Sequence, residues 1–141
     1  MRRNGPDGHW VSDERELVDV AAVHRWLSDE SYWAQGRSLA VVQRSIDASL
    51  PYGLYRADGA QVGFCRWVTD RATFAWLADV FVDAAARGAG LGKFLVGTAT
   101  DDPAIRDLPL QLLGTRDAHG LYAQFGFVPV PEPGRWMERR A

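Results

Sequence analysis

The sequence predicts a mixed α/β fold, and three observations carry the prediction. Two helical stripes lie in the first third of the chain, three strand-like runs joined by turns follow, and the last of these passes through a glycine-rich turn into another helix. The first stripe is Val20, Val23, His24 and Leu27, with Asp19 as its cap; the second is Leu39, Val42, Ile46 and Leu50, capped by Ser38. Tyr52–Arg56 and Gln61–Thr69 read as a hairpin turned at Asp58-Gly59, and Thr73–Val82 follows a turn at Asp70-Arg71. Trp10-Val11 starts an edge strand ahead of the helices. Leu91, Phe94, Leu95 and Ala99 form the inward stripe of the helix after the glycine turn, which stops near Asp101-Asp102-Pro103. Pro109–Leu113 is a short buried strand, Asp117 caps a helix running through Phe125, and Phe127–Val130 and Arg135–Met137 are closing strands.

Composition bounds the function. A chain of 141 residues with 47% hydrophobic residues and six Trp makes one domain with a substantial core. Residues 1–9 read as a flexible N-terminal tail and residues 10–141 as that single domain. The net charge is −2 and the basic residues are scattered, which argues against a nucleic-acid or anionic-membrane partner. Cys65 is the only cysteine, so no internal disulfide is available. Met1-Arg2-Arg3 leads into polar residues rather than the apolar core of a signal peptide, and no stretch is long enough to span a bilayer, so a cytoplasmic setting is expected. His9, His24, His119 and Cys65 are dispersed without metal-ligand spacing, and metal-free chemistry is expected.

The most informative stretch is Leu77–Thr100. An apolar strand enters Arg87-Gly88-Ala89-Gly90-Leu91-Gly92-Lys93, then an amphipathic helix. Glycines let the backbone approach an anion closely, and the helix start offers free N–H groups and a positive dipole end, which together form a phosphate cradle. Two familiar signatures fail on these residues. A Walker A loop needs Gly where Arg87 stands and Ser or Thr where Phe94 stands; a Rossmann fingerprint needs its third glycine where Lys93 or, in the alternative frame, Leu95 stands.

What remains is V-x-x-x-x-R-G-x-G-x-G from Val82, with Leu121-Tyr122-Ala123-Gln124-Phe125-Gly126-Phe127 downstream. These two motifs, in this order, resemble the acetyl-CoA loop and the LYxxFGF segment of the GNAT superfamily of N-acetyltransferases. Asp83-Ala84-Ala85-Ala86 departs from the commoner proline-containing link. The resemblance implies a mixed, mostly antiparallel sheet with helices on both faces, and acetyl-CoA as acyl donor. It also implies that backbone groups of Val80, Phe81 and Val82 meet the pantetheine arm and thioester, and that residues Arg87, Gly88, Ala89, Gly90, Leu91, Gly92 and Lys93 hold the pyrophosphate. Tyr122 matches the family tyrosine near the CoA sulfur and is the candidate general acid.

Asp79 interrupts an apolar run, where an unpaired carboxylate would be costly. It reads as a base or counter-ion for the incoming amine, or as a buried group satisfied by Arg or backbone donors. Arg66 is its tempting mate, but a hairpin centred on Asp70-Arg71 sets Arg66 opposite Ala75, leaving it to bind an acceptor carboxylate or to lie on the rim. Tyr32 and Trp33, between the first two helices, are candidate walls of the acceptor pocket, with core packing as the alternative. A small-molecule amine is favoured over a protein as acceptor, with direct transfer rather than an acyl-enzyme, since nothing around Cys65 activates a nucleophile. The competing reading is a non-catalytic acyl-CoA-sensing module. Homodimers are common in the family resembled, and the sequence marks no interface.

Overall fold

In the computed structural model, which describes residues 1–141, six strands form one sheet in simple sequence order. They are β1 (Arg2–Asn4), β2 (Trp10–Ser12), β3 (Leu50–Tyr55), β4 (Gln61–Thr69), β5 (Ala75–Val82) and β6 (Gln111–Leu113). Neighbours are antiparallel except β5 and β6, which run parallel. Four α-helices cover the sheet: α1 (Val20–Arg25), α2 (Leu39–Asp47), α3 (Leu91–Thr100) and α4 (His119–Ala123). No helix is long and apolar enough to cross a membrane.

Strand alternation divides the core between the two faces of the sheet. On one face Leu91, Leu95, Val96 and Ala99 of α3, with Tyr122 of α4, pack on Tyr52, Leu54, Trp67 and Leu77. On the other, Val23, Trp26, Val42 and Ile46 from the α1–α2 region pack on Phe64 and Phe81. Trp67, fully buried, ties sheet to helix by donating its indole N–H to the Ala99 carbonyl at 3.0 Å. The expected caps are in place: the Asp19 carboxylate accepts from Ala22 N and the Ser38 hydroxyl from Val41 N. Helix α1 continues into a wider π-helical turn over Trp26–Glu30, closed by Ser31 N on the Trp26 carbonyl.

Four expectations need correction. Residues 1–9 are not a free tail: β1 pairs with β2, making β2 the second strand rather than the edge. Pro6-Asp7-Gly8 supplies the turn with Asp7 and Gly8 at positive φ, while the Met1 ammonium meets Asp13 and Arg3 meets Asp101, each at 2.7 Å. Asp117 does not cap α4; the Thr115 hydroxyl accepts from Ala118 N instead, and the helix ends at Ala123. Leu50 opens β3 rather than closing α2. Phe127–Val130 and Arg135–Met137 pair with no strand.

Tyr55 marks a tight point. Its ring stacks on Trp10 with centroids 4.3 Å apart, its buried hydroxyl has no partner, and a Cβ on Gly53 would collide with that oxygen. Removing an unsatisfied buried hydroxyl relieves a desolvation cost. Tyr55→Phe is therefore expected to be neutral or stabilising by on the order of 1 kcal/mol in urea unfolding. Gly53→Ala should destabilise by about 1–3 kcal/mol through overpacking, and by less in the Tyr55→Phe background.

Candidate active site

The site is built around a β-bulge. Phe64 pairs with Phe81, but two residues along β4, Arg66 pairs with Ala78, so β5 carries one extra residue between them. Asp79 lies in that bulge at φ 55, a left-handed conformation that Asp tolerates better than most side chains. Regular alternation would turn Asp79 to the α3 face with Leu77; the bulge sends it to the α1–α2 face. There it is buried, with its side chain only 3% exposed. The Arg66 Nε and Arg37 Nη1 donate to Oδ2 at 2.8 and 2.9 Å, and the Trp33 indole donates to Oδ1 at 3.0 Å. Arg66 also donates to the buried Ser49 hydroxyl at 2.9 Å.

This geometry corrects the sequence register. Arg66 faces Ala78, not Ala75, because the chain between β4 and β5 runs from Asp70 to Phe74 instead of turning tightly at Asp70-Arg71. Arg66 is thereby spent on Asp79 and Ser49 rather than reaching an acceptor. Both Asp79 oxygens are engaged by the two guanidinium groups and the indole, so the carboxylate ties the sheet to the loop. Arg37 has no signal in the sequence. A lone arginine in a loop carries no periodicity, and only the fold brings it to a carboxylate distant in sequence.

The loop after the π turn also supplies Tyr32 and Trp33. Both are about 40% exposed and meet edge to face at 4.9 Å, so neither belongs to the core. The Tyr32 hydroxyl accepts from Arg116 N at 2.9 Å and the Arg116 guanidinium lies 3.9 Å from the Tyr32 ring centroid. The loop thus bridges to the segment entering α4, across the space between β5 and β6.

That space is open because β6 follows β5 only from Ala75 to Leu77. From Ala78 to Val82 no strand covers this edge of β5. Beyond it lies the glycine turn. Gly88 and Gly90 take φ 90 and 75, and Gly90 is the left-handed residue from which α3 starts. Added Cβ atoms there would meet only open space, so backbone conformation is what requires glycine at both positions. No backbone N–H from Gly88 through Lys93 has a partner within the chain; pairing resumes at Phe94. A row of unpaired donors at a helix N-terminus is an anion cradle. Arg87 donates from Nε to the Val82 carbonyl at 2.8 Å and lies over the Phe81 ring, bracing the end of β5 beside the turn. Lys93 is exposed and lines an open groove of about 670 Å³ that starts at Gly90 and follows α3.

Tyr122, on α4, packs into the core on the α3 face of the sheet. Phe127 folds back on it, donating N–H to the Tyr122 carbonyl at 3.3 Å and packing edge to face at 6.2 Å, which gives the Tyr-to-Gly-Phe spacing its structural reason. The residue is buried, and burial above all pushes its phenol up to about 12, so the hydroxyl is protonated across the neutral range. Burial likewise raises the Cys65 thiol, leaving it un-ionised and a poor nucleophile.

A model of the GNAT acetyltransferase domain matches residues 51–129. The chain belongs to the GNAT acetyltransferase family. A crystal structure from Xanthomonas campestris pv. campestris, provisionally named an acetyltransferase of the same family, is 44% identical with a TM-score of 0.92, over 97% of this chain and 96% of that one. A structure from Mycobacterium tuberculosis in complex with CoA shares the fold at 23% identity and a TM-score of 0.67, over 85% of this chain and 72% of that one. A curated relative from Gibberella zeae, provisionally named an acetyltransferase, is 28% identical over 104 residues, covering 61% of this chain. The chain spans 59% of that relative's length.

The buried charges and phenols of this region make two measurable demands on stability. Asp79→Asn keeps a residue tolerant of positive φ but removes the charge facing two half-buried guanidinium groups; a loss of about 2–4 kcal/mol is expected in chemical denaturation, with a larger loss for Asp79→Ala. For Tyr122 the folded value lies above the unfolded value of 10, so its contribution to stability is fully present below pH 10 and is lost as pH rises through about 12. Tyr52 and Tyr55 shift in the same direction, and thermal unfolding followed from pH 8 to 12 should show the loss beginning as pH passes the ordinary values of the Met1 ammonium and the buried Cys65 thiol and steepening above about pH 10 as the tyrosines add to it.

Proposed function

We propose that the protein transfers the acetyl group of acetyl-CoA directly to the nitrogen of a small-molecule amine. The observation that carries this reading is the unpaired N–H row from Gly88 to Lys93 following the uncovered stretch of β5, in a chain that also holds a neutral buried phenol at Tyr122. The N–H row suits the pyrophosphate, and the free edge between Ala78 and Val82 suits the amides of the pantetheine arm. Acetyl-CoA supplies an activated thioester. The backbone around Val80, Phe81 and Val82 supplies donors toward its carbonyl, where negative charge develops, and the Tyr122 hydroxyl is the proton source for the departing thiolate.

The acceptor enters from the side of Tyr32, Trp33 and Arg37. Two aromatic rings, each held by a hydrogen bond to a distant element, suit a small amine with an apolar body better than an extended peptide. Asp79 acts here as a positioning residue: it fixes Trp33 and Arg37 at the cleft and the bulge that opens β5. The amine loses its proton to water or to a base on the acceptor side rather than to Asp79. Direct transfer fits a chain whose one thiol is buried and un-ionised.

The test is CoA release with acetyl-CoA and a panel of small primary amines. Tyr122→Phe should lower kcat by about 10²–10⁴-fold while changing the Kd for acetyl-CoA less than about threefold, read by titration calorimetry. Tight acetyl-CoA binding without CoA release for any amine would instead favour a sensing module. Absence of acetyl-CoA binding would overturn the whole reading.

A further inference from the structure

Two guanidinium groups share one carboxylate in the candidate site, and this leaves a positive charge without a partner. Arg37 and Arg66 both donate to Asp79 Oδ2, at 2.9 and 2.8 Å, and neither forms an ion pair with any other acid. The cluster holds one cation in excess at a place largely shut off from water: the Asp79, Arg66 and Arg37 side chains are 3%, 13% and 24% exposed. An uncompensated charge in such surroundings favours an anion beside it.

The free donors show which side chain would take that anion. Arg66 uses two of its nitrogens, Nε on Asp79 and Nη1 on the Ser49 hydroxyl. Arg37 uses only Nη1, so its Nε and Nη2 have no hydrogen-bond partner in the chain. Those two nitrogens form one edge of the planar group, spaced for the two oxygens of a carboxylate. Asp79 holds the Arg37 side chain in place without any ligand, so little further ordering is needed on binding. Arg116, the other arginine near the opening, is less suited: its side chain is 65% exposed, lies over the Tyr32 ring and has Asp117 at 3.5 Å.

Position narrows the ligand further. Asp79 immediately precedes Val80, where the stretch of β5 backbone proposed to meet the thioester begins, and Trp33 shares the Asp79 carboxylate with Arg37. A carboxylate on Arg37 thus lies one ion pair away from the start of that stretch. Resting on the acetyl-transfer reading above, we propose that the acceptor is a small amino acid with an apolar side chain, its carboxylate bound by the Nε–Nη2 edge of Arg37 and its apolar body set against Tyr32 and Trp33. Starting from the ammonium form, the nitrogen gives up one proton to solvent and one to match the proton taken up by the departing thiolate. Its new C–N bond to the acetyl carbon replaces the C–S bond, and the products are the N-acetyl amino acid and CoA thiol.

Matched pairs that differ only in the carboxylate test this. With acetyl-CoA, kcat/KM for L-phenylalanine should exceed that for phenethylamine at least about tenfold, and L-leucine should likewise exceed 3-methylbutylamine. Calorimetry on the CoA-loaded protein reads the same preference without turnover: N-acetyl-L-phenylalanine should bind at least about tenfold more tightly than N-acetylphenethylamine. Arg37→Gln should bring each pair to within about threefold, with an unchanged Kd for acetyl-CoA as the check on folding. Should that variant not fold, Arg37→Lys, which keeps a charge facing Asp79 but lacks the two-donor edge, should reduce the preference at least about threefold. Equal or absent binding of the two N-acetyl compounds would overturn the inference whether or not amines are acetylated, and so would a preference that survives loss of the Arg37 edge. A carboxylate preference in binding, with no CoA release for any amine, would uphold the Arg37 site and count against the transfer reading instead.

Discussion

The structure depends on one carboxylate. Asp79 occupies a left-handed bulge that costs on the order of 1 kcal/mol relative to regular strand. Its oxygens are held by Arg66 from the neighbouring strand and by Arg37 and Trp33 from the loop over the opposite helices. Those charge-assisted bonds offset the strain and the burial, so the bulge stays where it is. Without it, regular alternation would carry the Asp79 side chain into the apolar layer beneath α3, where no partner waits.

Two consequences reach the chemistry. The bulge lies where β5 parts from β6, just past the last paired residue Leu77, and beyond it the backbone of β5 faces open space. The same contacts fasten the loop of Trp33 and Arg37 to the sheet, while Tyr32 and Arg116 join that loop to the entrance of α4. Cofactor edge, acceptor walls and the Tyr122 phenol are therefore parts of one connected arrangement. The glycine turn completes it by leaving its N–H groups unpaired, and Arg87 braces the carbonyl of Val82 beside it.

Much of this is legible in the sequence. The caps Asp19 and Ser38, the hairpin at Asp58-Gly59 and the glycine turn all obey local rules, and the structure contains each of them. The features that escape are non-local. The loop from Asp70 to Phe74 shifts the register of the hairpin, so a tight turn at Asp70-Arg71 sets Arg66 several residues away from Asp79. Arg37 has no pattern to mark it. The turn signal Pro6-Asp7-Gly8 is present, but the polar strand Arg2–Asn4 offers no apolar alternation and reads as a tail. At the other end Val128, Val130 and Glu132 alternate with prolines, which give a strand-like pattern but no N–H groups for regular pairing, and the segment joins no strand.

The position of bound CoA tests this arrangement most directly. A crystal structure of the protein with CoA should place the pyrophosphate within hydrogen-bond distance of backbone N–H groups between Gly88 and Lys93. It should pair the pantetheine amides with β5 between Ala78 and Val82, with Asp79 still in the left-handed region and tied to Arg37 and Arg66. CoA bound elsewhere, or bound at this edge with the bulge released and Asp79 turned away from both arginines, would contradict it.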